Sequence, residues 1–506
     1  MLSKYNIGAG NFIYEILNNN LVDGYEKKLR ILSEIEDINL SINDIANKSN
    51  DLASAYYNIG VKERDVVALY FSNTFDYFLH FVALNSIGAI PALINGQMPL
   101  NILSEYINKI KPDFLILNST DFLDLKYRVK TYSISELTSH TNNIRPKLFN
   151  HQNDDVIMIG HTSGTTGIPK GVIFTHESMF HGVKSQIHSQ KGKNILSILP
   201  HSHGASISLL MLSLTRGAHV TIISQVNTQK LENFVKDISP DVVIAFPKVY
   251  LDLYRMNLNP DNFSSINYWI ATGDALHEKH IKKFIGLGHH IIDNKKHEGS
   301  YFVDNLGSSE FAFAIFRNIH SPYTNNYHRC IGKPFKWVNV AVFDENNNII
   351  HDNKVGRLGV KSKSVTKGYW NDCNLTEKNK IDEFWLTGDL VYSDDKGNYF
   401  HVDRVSDSIG IGDNIYYSCE IEEFLISNID EILDVTVVES KGALIAYVEL
   451  QEYITKSEYE ILEKINAHLI ERFKCNITTL NIESANNNLG ITGKKLKRNL
   501  KECVNG

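Results

Sequence analysis

The chain has 506 residues, of which 43% are hydrophobic and 22% charged, and its formal net charge is −7. This length exceeds what one hydrophobic core serves, so we expect about two to four domains. The composition is typical of soluble globular proteins, and the acidic balance argues against nucleic-acid binding.

Neither a signal peptide nor a membrane span is predicted. The amino-terminal residues contain no long apolar run with a small-residue cleavage site, and the longest apolar stretches, such as 207–214, are too short to cross a bilayer. The five cysteines form no CxxC pair, which indicates reduced thiols in the cytoplasm rather than disulfides or a zinc site.

From residue 65 to about residue 330, short β-branched runs alternate with helical segments. The first unit is a strand over 65–71, a helix over 75–88 that ends at Gly88, and a second strand over 89–94. The strand pattern recurs in the runs DFLILN, DVIMIG, NILSILP, HVTIIS, DVVIAFP and NYWIAT. This alternation predicts an α/β fold with largely parallel sheets.

After about residue 330 the pattern changes to short antiparallel strands with Asn- and Gly-rich turns, in the runs 338–350, 356–362 and 397–404. The tail after Arg404 contains two helical and two strand segments. They are EIEEFLIS, VTVVES, ALIAYVEL and SEYEILEKINAHLIERF. This tail is predicted to form a separate small α+β domain.

The segment GHTSGTTGIPKGV, residues 160–172, lies between the strand DVIMIG and a helix predicted after Thr175. Its glycines tolerate positive φ, and successive N–H groups beside Lys170 suit a polyphosphate anion. A Walker loop is excluded because Lys170 is followed by Gly171, and an ordinary surface loop is the alternative. The residues expected at the phosphates are Thr162, Ser163, Gly164, Thr165, Thr166, Gly167 and Lys170.

The residue order in TSGTTGIPKGV resembles the phosphate-binding signature of the adenylate-forming superfamily, which comprises acyl- and aryl-CoA synthetases, peptide-synthetase adenylation domains and luciferases. Other segments resemble this superfamily in the same order: LPHSHGAS, ATGDALHEKH, DNLGSSE, GYW, WLTGDL, VDRVSDSIGIGDNIYYSCEIEE and ITGKKLKRNL. The resemblance implies a large domain over 1–403, built from two α/β subdomains and a small β-rich subdomain. A hinge at 404–407 and a small mobile α+β domain over 408–506 would follow.

The resemblance also implies a reaction in two steps. A carboxylate attacks the α-phosphate of ATP, pyrophosphate leaves, and a thiol then displaces AMP from the acyl-adenylate. The implied cofactors are ATP, Mg²⁺ and either coenzyme A or the phosphopantetheine of an acyl carrier protein; a homodimer is left open. Because the first step moves negative charge onto pyrophosphate, it requires fixed donors and cations.

Individual residues acquire roles from the matching segments. Glu310 and Thr166 would bind Mg²⁺. Asp389 would accept hydrogen bonds from the ribose hydroxyls, and Arg404 would reach the ribose or a phosphate. The adenine segment would contribute Asp304, Asn305, Leu306 and Ser309.

The acyl group and the catalytic lysine are assigned in the same way. Lys494 would bridge the substrate carboxylate and the α-phosphate, although KKLKR also fits a generic basic helix face. His203 would line the acyl pocket, where an ordinary packed histidine is the alternative. The run HSHGASISLLM contains no acidic residue to bind an ammonium group, which favours a fatty or aryl acid over an amino acid. The run GASISLLMLSL fits a pocket wall and a core helix equally well.

The chain departs from the superfamily pattern at several positions. Leu306 replaces the usual aromatic residue against adenine, and Ser309 replaces a threonine. Ser406 stands where the hinge usually has Asp or Lys, so Asp407 is a candidate replacement; the usual P-x-T is missing before Lys494. These departures leave the thiol acceptor open. They also leave open carrier-protein loading, a β-lactone-forming or luciferase-like branch, and a catalytically lapsed nucleotide-binding homologue.

Overall fold

The computed structural model describes the whole chain apart from short segments. The residues outside the description are 1–5, 34–35, 73, 119–124, 126–127, 163–166, 189–190, 225–226, 275, 325–326, 352, 413, 452–453, 455, 483–496, 498–499 and 501–506.

The first 140 residues contribute strands to both of the large sheets. Their elements are α1 (Phe12–Asn18), β1 (Lys27–Leu32), β2 (Asp37–Ser41), α2 (Ile42–Asn58), β3 (Val66–Phe71), α3 (Asp76–Ser86), β4 (Ile90–Asn95), α4 (Leu100–Ile110), β5 (Phe114–Leu117), β6 (Lys130–Ser133) and α5 (Ile134–Ser139). Helix α2 begins where the Ser41 side chain accepts a hydrogen bond from the Asp44 N–H and the Asp44 carboxylate accepts one from the Ser41 N–H. Strand β3 is almost entirely buried, as expected for a central parallel strand covered on both faces.

The next segment completes this sheet and builds a second one. Its elements are β7 (Val156–His161), β8 (Gly171–Thr175), α6 (His176–Gln186), β9 (Asn194–Ser197), α7 (Gly204–Thr215), β10 (His219–Ile223), α8 (Thr228–Ile238), β11 (Val242–Ala245), α9 (Pro247–Arg255), β12 (Tyr268–Thr272), α10 (Glu278–Ile285), β13 (His289–Ile292), β14 (Lys295–Glu298) and β15 (Tyr301–Leu306). The first sheet has the order β6-β5-β3-β4-β7-β8 and is parallel except for the β7–β8 pair. In the second sheet β1, β10, β9, β11, β12 and β15 run parallel, with β2 antiparallel at the edge.

The remaining elements form the β-rich subdomain and the small domain. They are β16 (Phe316–His320), β17 (Cys330–Pro334), β18 (Asn339–Phe343), β19 (Ile349–Ile350), β20 (Gly356–Lys361), α11 (Cys373–Lys378), β21 (Lys380–Ile381), β22 (Phe384–Ser393), β23 (Tyr399–Arg404), β24 (Ile409–Ile411), β25 (Asn414–Tyr416), α12 (Ser418–Asn428), β26 (Ile432–Ser440), β27 (Ala443–Leu450), α13 (Glu458–Phe473) and β28 (Ile477–Ile482). Strands β16 and β17 continue the second sheet into the antiparallel strands β23, β22, β20, β18 and β19. The sheet β26-β27-β28 packs with α12 and α13 around a hydrophobic core of its own, which extends in sequence from Ile409 to Leu480.

Residues of α9 and around the start of α10 contact the small domain. Arg255 donates to both carboxylate oxygens of Glu449, at 2.6 and 2.8 Å. His277 Nδ1 lies 2.9 Å from a carboxylate oxygen of Glu423, and the Lys279 ammonium donates to main-chain carbonyls of the small domain. Charged side chains therefore form the contacts between these two helical segments and the carboxyl-terminal part of the chain.

The predicted fold class is confirmed: two α/β subdomains, a β-rich subdomain and a small α+β domain follow one another. One local prediction is wrong. The sequence predicts a loop up to a helix after Thr175; that helix is confirmed as α6, but the residues after Lys170 form β8, which pairs antiparallel with β7. The β-branched and aromatic residues of Gly171–Thr175 favour this extra strand. The hinge and the domain limits at 403 and 408 stay predictions.

Candidate active site

The predicted phosphate loop connects the two strands of the β7–β8 hairpin. The Thr162 N–H donates to the Lys170 carbonyl at 3.2 Å, which closes the loop at its base. Gly167 has a φ of +95°, a conformation that favours glycine. The Thr162 hydroxyl oxygen is buried and makes no hydrogen bond within the described part of the chain. Ser163, Gly164, Thr165 and Thr166 lie outside the described residues.

Glu310, Tyr369 and Lys170 meet beside this hairpin. The Tyr369 hydroxyl donates to Glu310 Oε1 at 2.9 Å, and the Lys170 ammonium lies 5.2 Å from the centroid of the Tyr369 ring. Burial and the negative charge of Glu310 raise the pKa of Tyr369, so its hydroxyl stays protonated and can donate. The Thr366 N–H fixes the main chain here by donating to the Glu310 carbonyl at 2.7 Å. A carboxylate beside a lysine and hydroxyl groups fits Mg²⁺ bound together with phosphate oxygens.

A second charged group lies on the antiparallel pair β22–β23. Asp389 stands opposite Arg404 in the register, and Arg404 Nη1 donates to Asp389 Oδ1 at 2.9 Å. Asp389 is only 4% exposed, whereas the Arg404 side chain is 45% exposed. Burial alone would raise the pKa of Asp389, but Arg404 and His401 hold it well below its ordinary value. Asp389 is therefore an ionised carboxylate able to accept hydrogen bonds from hydroxyl groups. The charge of Glu310 adds to that of Asp389 in raising the pKa of Arg404, which links the two clusters electrostatically.

A buried network extends from Asp389 to the small domain. Arg329 Nη2 lies 2.9 Å from His401 Nδ1, and because arginine can only donate, Nδ1 is the acceptor. The His401 Nε2–H therefore donates to Asp389 Oδ1, at 3.3 Å. Arg329 also lies 3.9 Å from Glu423, which pairs with His277. Sequence reasoning gave no role to His401, Arg329 or Tyr369. Tyr369 lies in the matched run GYW and His401 directly precedes VDRVSD, whereas Arg329 lies in no matched segment.

An apolar cavity adjoins the charged residues. It is lined by Phe174, Leu199, His203, Gly204, Ala205, Ser208, Leu209, Leu212, Ile244, Phe246, Ile270, Thr272, Gly273, Asn305, Gly307, Ser308, Ser309, Ala312, Phe313, Ala314 and Arg317. One face of α7 contributes Leu209 and Leu212 to this wall, while Ile207 and Met211 of the same helix are buried in the core. The run GASISLLMLSL thus serves both of the functions that the sequence left open.

His203 lies at the start of α7 and on the cavity wall. Its Nδ1 accepts a hydrogen bond from the Ala205 N–H at 3.1 Å, which caps the helix. Its ring meets the Phe246 ring edge to face, with 5.0 Å between centroids. The structure therefore places His203 on the wall of the apolar cavity and also gives it the structural role of a packed residue; its role at the acyl group stays a prediction.

The predicted adenine segment lies at the end of β15 and in the turn that follows. Asn305 and Ser309 line the cavity, and Leu306 packs against the core. Burial raises the pKa of Asp304 to about 7, although the positive charge of Arg329 opposes this shift. Ionisation of the buried Asp304 carboxyl group therefore costs free energy.

Two further predictions concern the carboxyl-terminal part of the chain. Lys494 lies outside the described residues. At the predicted hinge the Ser406 hydroxyl donates to Asp407 Oδ1 at 3.0 Å, and the Asp407 N–H donates to the Arg404 carbonyl at 3.0 Å. In the described ranges there is no cluster of histidine, cysteine and acidic residues that could hold a metal ion alone, and no helix there is long and apolar enough to cross a membrane.

This fold carries charged groups that suit a nucleotide, and an apolar cavity lies beside them. Together these features define an enzyme of the class that activates small organic acids with a nucleotide. The sequence profile of the AMP-binding enzyme family matches residues 24–370, more than half of the chain. The chain belongs to the AMP-binding enzyme family. The superfamily, the fold and the ligase class predicted from the sequence are confirmed.

Comparison with individual proteins adds detail. The chain is 33% identical to a 3-aminoavenalumate diazotase from Streptomyces sp over 405 residues, which cover 76% of this chain and 71% of that protein. It is 25% identical to a 4-coumarate–CoA ligase from Pinus taeda over 476 residues, covering 87% and 83% of the two chains. The crystal structure of the anthranilate CoA ligase AuaEII in complex with anthranoyl-AMP superposes with a TM-score of 0.83 at 16% identity, covering 100% and 99% of the two chains.

Proposed function

We propose that this enzyme uses ATP and Mg²⁺ to convert an aromatic carboxylic acid into its acyl-adenylate and then transfers the acyl group to coenzyme A. One observation carries the proposal. The apolar cavity reaches Ser309, and the next residue, Glu310, belongs to the charged cluster with Tyr369 and Lys170. An acid bound in the cavity would thus meet the phosphates at this junction.

An aromatic acid is favoured over a fatty acid for two reasons. Three phenylalanines, Phe174, Phe246 and Phe313, line the cavity and offer ring faces and edges to a flat substrate. The names of two similar proteins, a 4-coumarate–CoA ligase and an anthranilate CoA ligase, also contain aromatic acids.

The proposed roles follow from charge and position. Lys170 and the hairpin loop would hold the β- and γ-phosphates, and the ionised Asp389 would accept hydrogen bonds from the ribose hydroxyls. Glu310 and Thr166 would hold Mg²⁺, which neutralises charge on the phosphate oxygens when it is bound. Lys494 would stabilise the charge that develops between the carboxylate and the α-phosphate.

Coenzyme A is the proposed thiol acceptor, and the cytoplasm is the proposed location. The similarity to CoA ligases favours coenzyme A over a carrier protein. The described cysteines Cys330, Cys373, Cys419 and Cys475 are free thiols, which supports a cytoplasmic enzyme.

The test is pyrophosphate release with ATP and Mg²⁺ across aryl, fatty and amino acids, with and without coenzyme A. We expect release that depends on an aryl acid and rises with coenzyme A. Glu310→Gln should remove this activity and serves as the negative control. Tight ATP binding without acid-dependent release would contradict the proposal and support a catalytically lapsed homologue.

A second candidate function is diazotisation of an aromatic amine. The observation that favours it is the 33% identity to a protein named as a diazotase, against 25% to the 4-coumarate–CoA ligase. In that reaction a nitrite oxygen would attack the α-phosphorus of ATP and displace pyrophosphate. The amine nitrogen would then attack the nitrosyl nitrogen of the mixed anhydride, releasing AMP and a proton. Loss of hydroxide from the resulting N-nitroso tautomer leaves the diazonium ion.

Nitrite separates the two candidates. Diazotisation requires pyrophosphate release that depends on nitrite and yields a product that couples with a phenol to form an azo dye. Acid activation requires release without nitrite. Release that is independent of nitrite would therefore remove the second candidate.

A further inference from the structure

Ser208 is a polar residue on the wall that α7 contributes to the apolar cavity. It is 3% exposed, and Leu209 and Leu212 line the cavity from the same helix. The Ser208 hydroxyl donates a hydrogen bond to the Ala312 carbonyl at 2.8 Å. A hydroxyl group has one proton and two lone pairs, so an oxygen whose proton is used in this way can only accept a hydrogen bond from a ligand.

The main chain at Ala312 keeps the Ser208 proton in this hydrogen bond. Ala312 has a φ of +56°, in the left-handed region that alanine seldom adopts. A backbone conformation of this kind costs free energy and persists only where the surrounding contacts impose it. The hydrogen bond from Ser208 is one such contact, and the lone pairs of Ser208 are therefore what a bound ligand meets.

Asn305 offers a second acceptor, on the wall that β15 contributes. It lines the same cavity, and its Oδ1 atom is buried and makes no hydrogen bond to any described residue. A buried amide oxygen without a partner costs free energy, which a donor on a ligand can recover. Because the terminal torsion of an asparagine side chain is broad, a rotation of the amide presents this oxygen to a ligand.

The charge of the cavity decides which kind of donor fits these acceptors. Among the described residues that line the cavity, none is an aspartate or glutamate. An ammonium group bound there would lose its hydration without gaining a counter-charge, which is unfavourable. An amino or hydroxyl group on an aromatic ring is neutral near pH 7 and still has a proton to donate. The cavity therefore suits a neutral donor.

We propose that Ser208 and Asn305 are specificity-determining residues that accept hydrogen bonds from a neutral donor group on the aromatic ring of the substrate. The preferred acid then carries an amino or hydroxyl group on its ring. This inference rests on the proposed function, and it adds the chemical class of the acid. It assigns the Asn305 side chain to the acid, whereas the family resemblance places this residue in the adenine segment.

The experiment measures ATP–pyrophosphate exchange with cinnamates that carry an amino, a hydroxyl or a methyl group at the same ring position, taken in turn as ortho, meta and para. An amino and a methyl group are similar in size, so the ratio of their kcat/KM values reports hydrogen bonding. A change in the use of ATP cancels in this ratio. We expect a ratio of about tenfold or more at one position, and the hydroxyl compound shows which of the two donors is preferred.

Substitutions then assign the preference to the two residues. Ser208→Ala and Asn305→Leu should each lower the ratio by about two- to tenfold, the worth of one neutral hydrogen bond. Ser213→Ala is the matched control, because Ser213 is a buried serine of α7 that is not among the residues lining the cavity. Ser208→Ala also removes a contact of the Ala312 backbone. It is therefore repeated together with Ala312→Gly, since glycine adopts a positive φ without strain, and the ratio should stay low.

The following results would overturn the inference. The wild type could use the amino and methyl compounds equally at every position, or Ser208→Ala or Asn305→Leu could leave the ratio unchanged. Ser213→Ala could lower the ratio as much as Ser208→Ala does. The ratio could also return to the wild-type value when Ala312→Gly is added to Ser208→Ala, which would show that Ser208 acts only through the backbone.

Absence of exchange with every acid would instead contradict the proposed function. In that case the melting temperature tests the two acceptors. Amino-substituted cinnamates should raise it more than the methyl compounds do in the wild type and in Ser213→Ala. An equal rise with both compounds in these two proteins would overturn the inference, and Ser208→Ala should show such an equal rise.

Discussion

The charged cluster and the apolar cavity are adjacent but are built in different ways. In the cluster, a few side chains contact one another directly, as Asp389 contacts Arg404 and as Tyr369 contacts Glu310. In the cavity, side chains from α7, β11, β15 and β16 share a surface, and most of them are interchangeable apolar residues. Directional contacts set the charge and protonation state of each group, whereas a shared apolar surface sets shape.

This difference predicts separate kinetic effects. Substitutions in the charged cluster should impair adenylation of every acid and change the use of ATP. Substitutions in the cavity should change the choice among acids and leave the use of ATP alone.

The largest effect is expected at Lys494. Lys494→Ala should lower adenylate formation by about 100-fold or more, because one fixed donor at a developing charge is worth that much. Thiolation of pre-made adenylate should be largely spared. The matched control is Lys495→Ala, which removes the neighbouring charge. Equal loss of both half-reactions would count against this assignment.

The next largest effect is expected at Asp389. Asp389→Asn removes the ionised acceptor proposed for the ribose hydroxyls, and a hydrogen bond to a charged group is worth about 1.5–3 kcal/mol. We expect kcat/KM for ATP to fall by about 30-fold or more, with the same factor for each acid. Glu383→Gln breaks the exposed pair with Lys361 and serves as the control. If the decrease in kcat/KM for ATP differed from one acid to another, the charged cluster and the apolar cavity would not act independently.

A smaller effect is expected at Phe246. Phe246→Leu removes the ring that packs edge to face on His203, a contact worth about 0.5–1.5 kcal/mol. The KM for an aryl acid should rise by about two- to tenfold. The KM for ATP should stay the same, and a matching rise in it would show that the cavity and the cluster are not independent.

The smallest effect on activity, but a distinct effect on stability, is expected at Glu423. Burial alone would raise its pKa, but His277 and Arg329 hold it at about 2, below the ordinary 4.5. The ionised carboxylate therefore stabilises the fold above pH 4.5, and this contribution is lost as pH falls toward 2. Glu423→Gln should lower the urea midpoint near neutral pH, and its gap to the wild type should narrow below pH 4.5. A gap independent of pH would exclude this ion pair as the cause.

Regular elements were the most predictable part of the molecule. The strand over 65–71, the helix that ends before Gly88 and the helices of the small domain follow from local periodicity and capping residues. The first 60 residues were not divided into elements, and β1 and β2 join the edge of the second sheet only through pairing with β10. Such pairing depends on residues far away in sequence.

Site residues that belong to a sequence motif were predictable, whereas residues that join the site only through a tertiary contact were not. Glu310 and Asp389 were identified within their segments. Tyr369, which lies 59 residues after Glu310 and donates to it, is part of the run GYW, but no sequence pattern gives it a role. Ser208 was not singled out, because a serine in an apolar helix gains meaning only from the cavity that it lines.

The most direct test of the account follows an oxygen atom. An aryl acid labelled with oxygen-18 in its carboxyl group is turned over with ATP, Mg²⁺ and coenzyme A, and the AMP is analysed by mass spectrometry. If the carboxylate attacks the α-phosphorus, each AMP carries one oxygen from the acid, labelled in proportion to the enrichment. AMP that forms without label from the acid, and gains label from oxygen-18 nitrite instead, would contradict acid activation.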